Sequence, residues 1–218
     1  MRSALSAWPM VIFLLVLQLL PAGCGAQTKG DGSIKAEKRT LPPFTELDAG
    51  GAYQIDIVCQ KPQSLEISAD SNLLSLIRTE VTNGRLDIGS DSISPSTTPK
   101  VTISVPDLRR LRLSGASKVS IEGVKNEAFT VDASGAVAVK ASGQTRSLTV
   151  TLSGAGQVAM GDLHSEKARI ESSGAGAVDV WASESLSVHL SGVGAVTYAG
   201  NPKTVQKEIS GLGTLRQK

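Results

Sequence analysis

Hydrophobic and polar residues alternate one by one along much of the chain. Leu148, Val150 and Leu152 alternate with Thr149 and Thr151, and similar runs flank the glycine-rich segments from residue 111 onwards. A period of two places the apolar side chains on one face of a β-strand. The pattern therefore predicts an all-β chain of short strands, each with one buried face.

A motif that begins Ser-Gly divides the second half of the chain into six repeats. The repeats are spaced 20, 19, 20, 18 and 19 residues apart, and their first residues are Ser114, Ser134, Ser153, Ser173, Ser191 and Ser210. A unit this short cannot close a core alone, whereas stacked copies bury a continuous one. The repeats predict a right-handed parallel β-helix-like solenoid, in which each repeat is a strand, a glycine corner, a second strand and a loop.

Glycines mark the predicted corners. A sharp corner repeated in register needs a positive φ or leaves no room for a Cβ atom, and glycine satisfies both conditions. The predicted structural corner glycines are Gly115, Gly135, Gly154, Gly156, Gly174, Gly176, Gly192, Gly194, Gly211 and Gly213. A set of hairpins or a sandwich is the rival architecture, because turn signals recur in those folds as well.

The first part of the predicted domain, residues 39–110, has strand-like alternation but no regular repeat. Asp70 or Ser71 can cap a short helix over residues 72–77, and Asn83-Gly84 predicts a hairpin turn. Residues 90–99 are expected to form an exposed loop. We expect one solenoid domain over residues 39–218, with residues 111–218 carrying the six repeats; a separate N-terminal domain is the alternative.

Residues 1–23 have the features of an export signal, because Arg2 precedes an apolar run and small residues follow it. The segment from Leu20 to Cys24 is similar to a bacterial lipobox, which predicts lipid attachment at Cys24. Cleavage near Ala26 and an uncleaved membrane helix are the alternatives. The polar residues 24–38 are expected to form a tether.

Charge and composition exclude several classes of function. The whole chain has a net charge of +2, and removal of the predicted signal lowers this by one positive charge, that of Arg2. A chain this close to neutral has no long-range field to attract phosphate backbones, so no nucleic acid partner is expected. Few aromatic residues are available to fill a wide core; those beyond the predicted signal are Phe44, Tyr53, Phe129, Trp181 and Tyr198.

Candidate chemistry is sparse. Cys59 ends an apolar stretch and has no partner if Cys24 is lipidated or removed, so it is expected to be a buried, unreactive thiol. His164 and His189 are expected on the surface, without the companions that a metal site needs. The Gly-X-Gly corners lack the third glycine of a dinucleotide loop. We therefore predict no catalytic residue, no cofactor and no metal.

Arg109, Arg110 and Arg112 form the strongest candidate ligand patch. Three cations this close could bind acidic sugars or lipid phosphates, but the favoured interpretation is a solvated turn and one outward strand position. Polysaccharide lyases occur among parallel β-helix proteins. A carbohydrate-active enzyme that uses these arginines is therefore an alternative function.

The chain from Phe44 almost to its C-terminus resembles the head GIN domain, described as the head of an autotransporter adhesin. The likeness rests on residues 43–47 and 53–57, on the Ser-Gly-Ala-Gly repeats and on residues 198–202. It implies an exported bacterial envelope protein with a β-solenoid fold and no established activity. No translocator barrel follows the last repeat, so we do not expect the chain to secrete itself.

The expected function is that of a lipid-anchored envelope protein acting as a non-enzymatic, adhesin-like binding module. Gly25 after Cys24 favours the outer membrane, whereas cleavage near Ala26 would give a periplasmic or secreted protein. Expected partners are the membrane through the lipid, a carbohydrate or an envelope protein. A second copy could pair with the open edge after Ser210, and a self-associating structural role is the further alternative.

Overall fold

The computed structural model describes residues 27–218 as a β-solenoid of about five turns with parallel stacked coils. Strand accounts for 72% of the structure, which confirms the predicted all-β solenoid. One short 3₁₀ helix spans Leu74–Leu76. The strands are β1 (Thr28–Lys29), β2 (Ile34–Lys38), β3 (Glu46–Gly51), β4 (Gln54–Cys59), β5 (Ser64–Asp70), β6 (Ile77–Thr82), β7 (Arg85–Ser90), β8 (Ile93–Ser94), β9 (Lys100–Val105), β10 (Arg110–Gly115), β11 (Lys118–Ala133), β12 (Ala136–Leu152), β13 (Ala155–Ser172), β14 (Ala175–Leu190), β15 (Val193–Ala199), β16 (Thr204–Ile209) and β17 (Leu212–Gln217).

Two parallel ladders of strands meet at the Ser-Gly corners. The pre-corner ladder runs through β7, β3, β10, the C-terminal parts of β11 to β14, and β16. The post-corner ladder runs through β9, β4, the N-terminal parts of β11 to β14, β15 and β17. A short return side, near residues 124–126, 143–145, 163–165 and 181–182, closes each coil.

The core lies between the ladders and is built from columns of like side chains. Val131, Val150, Ile170 and Val188 occupy equivalent inward positions in successive coils, and all four are buried. Small β-branched side chains fill such a narrow interior well because each packs on its counterpart in the next coil. The scarcity of aromatic residues is thus compatible with a filled core.

The corner glycines stack directly on one another. A Cβ atom at Gly174 would overlap the backbone of Gly154 in the neighbouring coil, and one at Gly192 would overlap the backbone of Gly174. Positive φ is not the general cause, because Gly115 alone among the predicted corner glycines has one, at 151°. Close approach of backbone to backbone therefore explains most of these glycines.

The N-terminal coils do not follow chain order in space. β3 and β4 lie between β7 and β9 on one side and β10 and β11 on the other. β6 pairs antiparallel with β7 through a turn at Asn83 (φ 52°) and Gly84 (φ 76°), which confirms the predicted hairpin. The antiparallel strands β6, β5 and β2 close this end of the solenoid.

The described part of the predicted tether, residues 27–38, differs from the expectation of a free linker. β1 pairs with β8, and β2 pairs antiparallel with β5. All five side chains of β2 are exposed, so this edge strand buries no apolar face. Its polar sequence therefore did not indicate that it pairs with β5. The predicted signal, Cys24, Gly25 and Ala26 lie outside the described residues.

The opposite end of the solenoid carries the last described coil, β16 and β17. Lys207 and Gln217 take the positions that Val188 and Tyr198 occupy in the preceding coil. Val205 and Ile209 remain 40% and 37% exposed in β16. Within residues 27–218, no helix is both long and apolar enough to cross a membrane.

Candidate ligand-binding surface

The three arginines of the predicted ligand patch lie beside carboxylates. Arg110 and Arg112 point outward from β10, where the pre-corner ladder brings acidic residues of neighbouring coils next to them. The ion pairs are Arg109 with Asp107 at 2.7 Å, Arg110 with Asp132 at 4.0 Å and Arg112 with Asp48 at 3.3 Å. The carboxylates compensate the positive charge, so the patch offers an acidic polymer little net attraction.

The same pairing recurs over the outward faces. Lys100 contacts Asp56 at 3.0 Å, and Lys218 contacts Asp179 at 2.8 Å. His189 is exposed, as predicted, and its Nδ1 lies 3.2 Å from a carboxylate oxygen of Glu208. These contacts join residues of different coils, so the charge pattern belongs to the stacked fold rather than to any one repeat.

A different arrangement lies on the return side, where a groove runs along the coils. One column of the groove consists of Lys125, Gln144, His164 and Trp181, which align at equivalent positions of successive coils. The side chains of these four residues make no hydrogen bond or ion pair to any other residue in the described part of the chain. We refer to this column, with its neighbours Glu127, Arg146 and Glu166, as the return-side groove.

The two rings of the groove stack. The centroids of His164 and Trp181 are 4.5 Å apart, with an angle of 28° between the ring planes. Phe44, Tyr53 and Phe129 are buried in the core, whereas Trp181 projects outward and is only partly covered. Trp181 thus places an aromatic surface at one end of the groove.

A charged rim borders the column. An Arg146 terminal nitrogen lies 2.7 Å from Glu127, and its Nε lies 3.5 Å from Glu166. With Lys125 added, the groove contains two cations and two carboxylates. The rim is therefore balanced in charge, and Arg146 holds both glutamates in place.

Hydrogen bonds fix the backbone below the groove. Thr145 donates its hydroxyl proton to Asn126 Oδ1 at 2.8 Å, and Asn126 donates to the Leu108 carbonyl at 2.7 Å. Ser165 donates to the Trp181 carbonyl at 2.6 Å. These polar groups satisfy one another, which leaves the outward column as the part available to a ligand.

Sequence reasoning placed His164 on the surface but missed its contact with Trp181. The cause is the changing length of the return side, since the ladder register shifts between Met160 and His164. A fixed offset from the Ser-Gly motif therefore does not align the two rings. The only available signal was the outward position of Trp181, next to the inward Val180.

The remaining candidates for chemistry are the Cys59 thiol and a cluster of metal-ligating side chains. Cys59 is buried, as predicted, and burial raises the pKa of its thiol to about 11, with a smaller contribution from the nearby charge of Asp107. A thiol with this pKa is almost fully protonated at neutral pH and is a poor nucleophile. Between residues 27 and 218, no three His, Cys, Asp or Glu side chains cluster as a metal site would require.

Solved structures with the same fold come from bacteria. The chain is 20% identical to a "putative adhesin" from Bacteroides fragilis, covering 87% of this chain and 99% of that one, with a TM-score of 0.72. It is also 20% identical to a "putative lipid binding protein" from Parabacteroides distasonis, covering 88% and 99%, with a TM-score of 0.56. At such identities the likeness shows the fold alone. No curated protein matches the chain.

A sequence family accounts for most of the chain. The family described as "Putative auto-transporter adhesin, head GIN domain" matches residues 43–202. This range begins just before β3 and ends just after β15. This range contains both ladders as far as β15, the stacked corners as far as Gly194 and the return-side groove. The chain therefore belongs to the head GIN domain family.

Proposed function

We propose that this protein is an exported, lipid-anchored protein of the bacterial outer membrane, acting as a non-enzymatic, adhesin-like binding module. The observation that carries the proposal is the rigid outer surface of the solenoid, on which partly exposed side chains are held in register from coil to coil. Such a surface suits a repetitive or extended ligand. Membership of an adhesin-head family supports the same function.

The proposed anchor would hold the capped end of the solenoid at the membrane. Cys24 lies four residues before Thr28, where β1 begins. A fully extended chain of that length spans about 14 Å, so β1 and the antiparallel cap would remain close to the lipid. The repeats, which carry the return-side groove on one flank, would then project away from the membrane.

The pairing of the three arginines and the burial of the Cys59 thiol favour binding rather than catalysis. Each arginine of the predicted patch is paired with a carboxylate, and the Cys59 thiol is buried with a raised pKa. Neither arrangement matches an activated nucleophile or an unpaired cation aimed at a developing charge. A carbohydrate-active enzyme remains the alternative that the binding experiment must exclude.

The proposal is tested with the full-length exported protein, purified in mild detergent and incubated with defined neutral and acidic polysaccharides. Binding without new reducing or unsaturated ends supports the binding module. Release of such ends identifies an enzyme, and a protein that binds no probe refutes the proposed function. Vesicles of bacterial phospholipid serve as a separate arm, because one relative is called a lipid binding protein.

Anchoring is tested by metabolic labelling with a fatty-acid probe. Wild type is expected to incorporate the label and Cys24→Ala to lose it. Cys59→Ala is the matched control, because Cys59 is the other cysteine and lies buried in the core. Equal labelling of wild type and Cys24→Ala would refute the lipid anchor.

Self-association is a second candidate function, favoured by exposed apolar side chains at the C-terminal end of the solenoid. Leu212 is 82% exposed and Val193 is 57% exposed, and they are neighbours on the post-corner ladder. β16 and β17 each have one edge that pairs with no other described strand. A molar mass that rises with protein concentration, without any ligand, would support this role.

A further inference from the structure

The return-side groove combines an aromatic end with unpartnered hydrogen-bonding side chains, and we infer that it binds a segment of an uncharged polysaccharide. The inference rests on the proposed binding function, because it names the site and the ligand class of the same module. Its residues are Lys125, Gln144, His164 and Trp181 in the column, with Arg146 between Glu127 and Glu166 on the rim.

The charges of the groove, two cations and two carboxylates, favour a ligand without net charge. Arg146 is already paired with two glutamates, at 2.7 and 3.5 Å. An acidic sugar would meet these two carboxylates, and a cation would meet Arg146 and Lys125. A ligand that carries hydroxyl groups and no net charge avoids both repulsions.

The stacked rings supply the apolar contact that a sugar requires. One face of a pyranose ring carries mostly C–H groups, which pack on aromatic rings, while its edge carries hydroxyls. His164 is exposed and Trp181 is partly exposed, so part of the stacked pair faces the solvent at this end of the groove. A sugar unit can therefore stack at this end of the groove while its hydroxyls contact polar neighbours.

The remaining column residues provide hydrogen bonds at regular spacing. The amide of Gln144 both donates and accepts, and the ammonium of Lys125 donates, as neutral hydroxyl groups need. Three coil-to-coil steps separate Lys125 from Trp181, which corresponds to about 14 Å at a strand spacing of about 4.8 Å. The groove is long enough for several consecutive sugar units, which distinguishes a polymer from a monosaccharide.

The experiment measures binding of cellohexaose, mannohexaose and polygalacturonate to the full-length protein in detergent by calorimetry. We expect one of the neutral oligosaccharides to bind and polygalacturonate to bind more weakly or not at all. Trp181→Ala and His164→Ala should each weaken binding about tenfold or more, and Gln144→Ala should weaken it less. His189→Ala is the matched control, because His189 is the other histidine and is also exposed, but lies on the pre-corner face.

Circular dichroism and melting curves show whether each variant is folded. If Trp181→Ala does not fold, His164→Ala and Gln144→Ala decide the question, since both remove exposed side chains. Neutral glycan binding that all three variants retain at wild-type strength would refute the groove while leaving the proposed function intact. Preference for polygalacturonate would refute the ligand class, and binding to none of the probes would refute both proposals.

Discussion

The stacked corner glycines make a sharp prediction for Gly174→Ala. A Cβ atom at this position would lie 2.8 Å from the carbonyl carbon of Gly154 and 3.0 Å from the carbonyl carbon of Ser153, and would overlap the Gly154 oxygen. These contacts are with backbone, which cannot rotate away as a flexible side chain can. The two coils must therefore separate locally. The next coil must shift with them, because its Gly192 stacks on Gly174.

The expected loss of stability follows from two opposing effects. Forcing one additional methyl group into a packed site costs about 1–3 kcal/mol, and the rigid backbone contacts place Gly174→Ala near the upper value. Loss of backbone freedom in the unfolded chain returns about 0.4–1 kcal/mol. The net destabilisation is about 2 kcal/mol, which lowers the melting temperature of a domain of this size by about 4–8 °C.

Thermal melts followed by the β-sheet circular dichroism signal measure this shift. Ala175→Ser is the control, because residue 175 is the exposed neighbour and already carries a Cβ atom. Gly84→Ala distinguishes backbone strain from steric overlap. A Cβ atom at Gly84 would have no atom within 4 Å, but φ is 76°, so this change should destabilise the fold by about 1–2 kcal/mol through backbone strain alone. A Gly174→Ala melting temperature equal to that of Ala175→Ser would refute the close-packed corners.

Three further outcomes are expected. Cys59 should resist alkylation at pH 8 in the folded protein and react fully in urea, because burial raises its pKa to about 11; rapid labelling of the native protein by mass spectrometry would contradict this. Asp70 accepts hydrogen bonds from Ser96 and Gly32, which lower the pKa of its carboxyl group below 3.8. The ionised carboxylate therefore stabilises the folded state above pH 3.8, and this stabilisation is lost as the pH falls through the lowered pKa. Wild type should therefore lose melting temperature on acidification to pH 2 more steeply than Asp70→Asn, and parallel pH profiles would exclude this role. Lys207→Leu should increase concentration-dependent association in light scattering relative to Lys203→Leu, because an inward-pointing lysine on an edge strand opposes pairing; equal scattering would show that Lys207 has no such effect.

Local patterns predicted the parts of the fold that depend on local rules. The spacing from Ser114 to Ser210 implied stacked coils because the motif recurs at a nearly constant interval, and Asn83-Gly84 implied a hairpin because the signal lies within one turn. The insertion of β3 and β4 between later strands could not be predicted, since parallel pairing of β3 with β7 depends on partners about 40 residues away.

The binding surface was harder to predict for the same reason. Arg112 is neutralised by Asp48, which lies 64 residues earlier in the chain, so the three arginines looked unpaired in sequence. His164 and Trp181 come together only after a register shift in the return side. Side chains on a solenoid surface acquire neighbours from other coils, and sequence spacing alone does not identify those neighbours when loop lengths vary.

The placement of β3 and β4 inside the stack has a consequence for how the chain folds. Their coil is enclosed only after residues 85–122 have arrived on both sides of it, so the N-terminal region must assemble as one nucleus with long loops to close. Each later repeat then needs only the edge of the coil before it as a template. Because synthesis proceeds from the N-terminus, the nucleus can form first and growth can proceed in one direction, leaving a single coil edge unprotected at each stage.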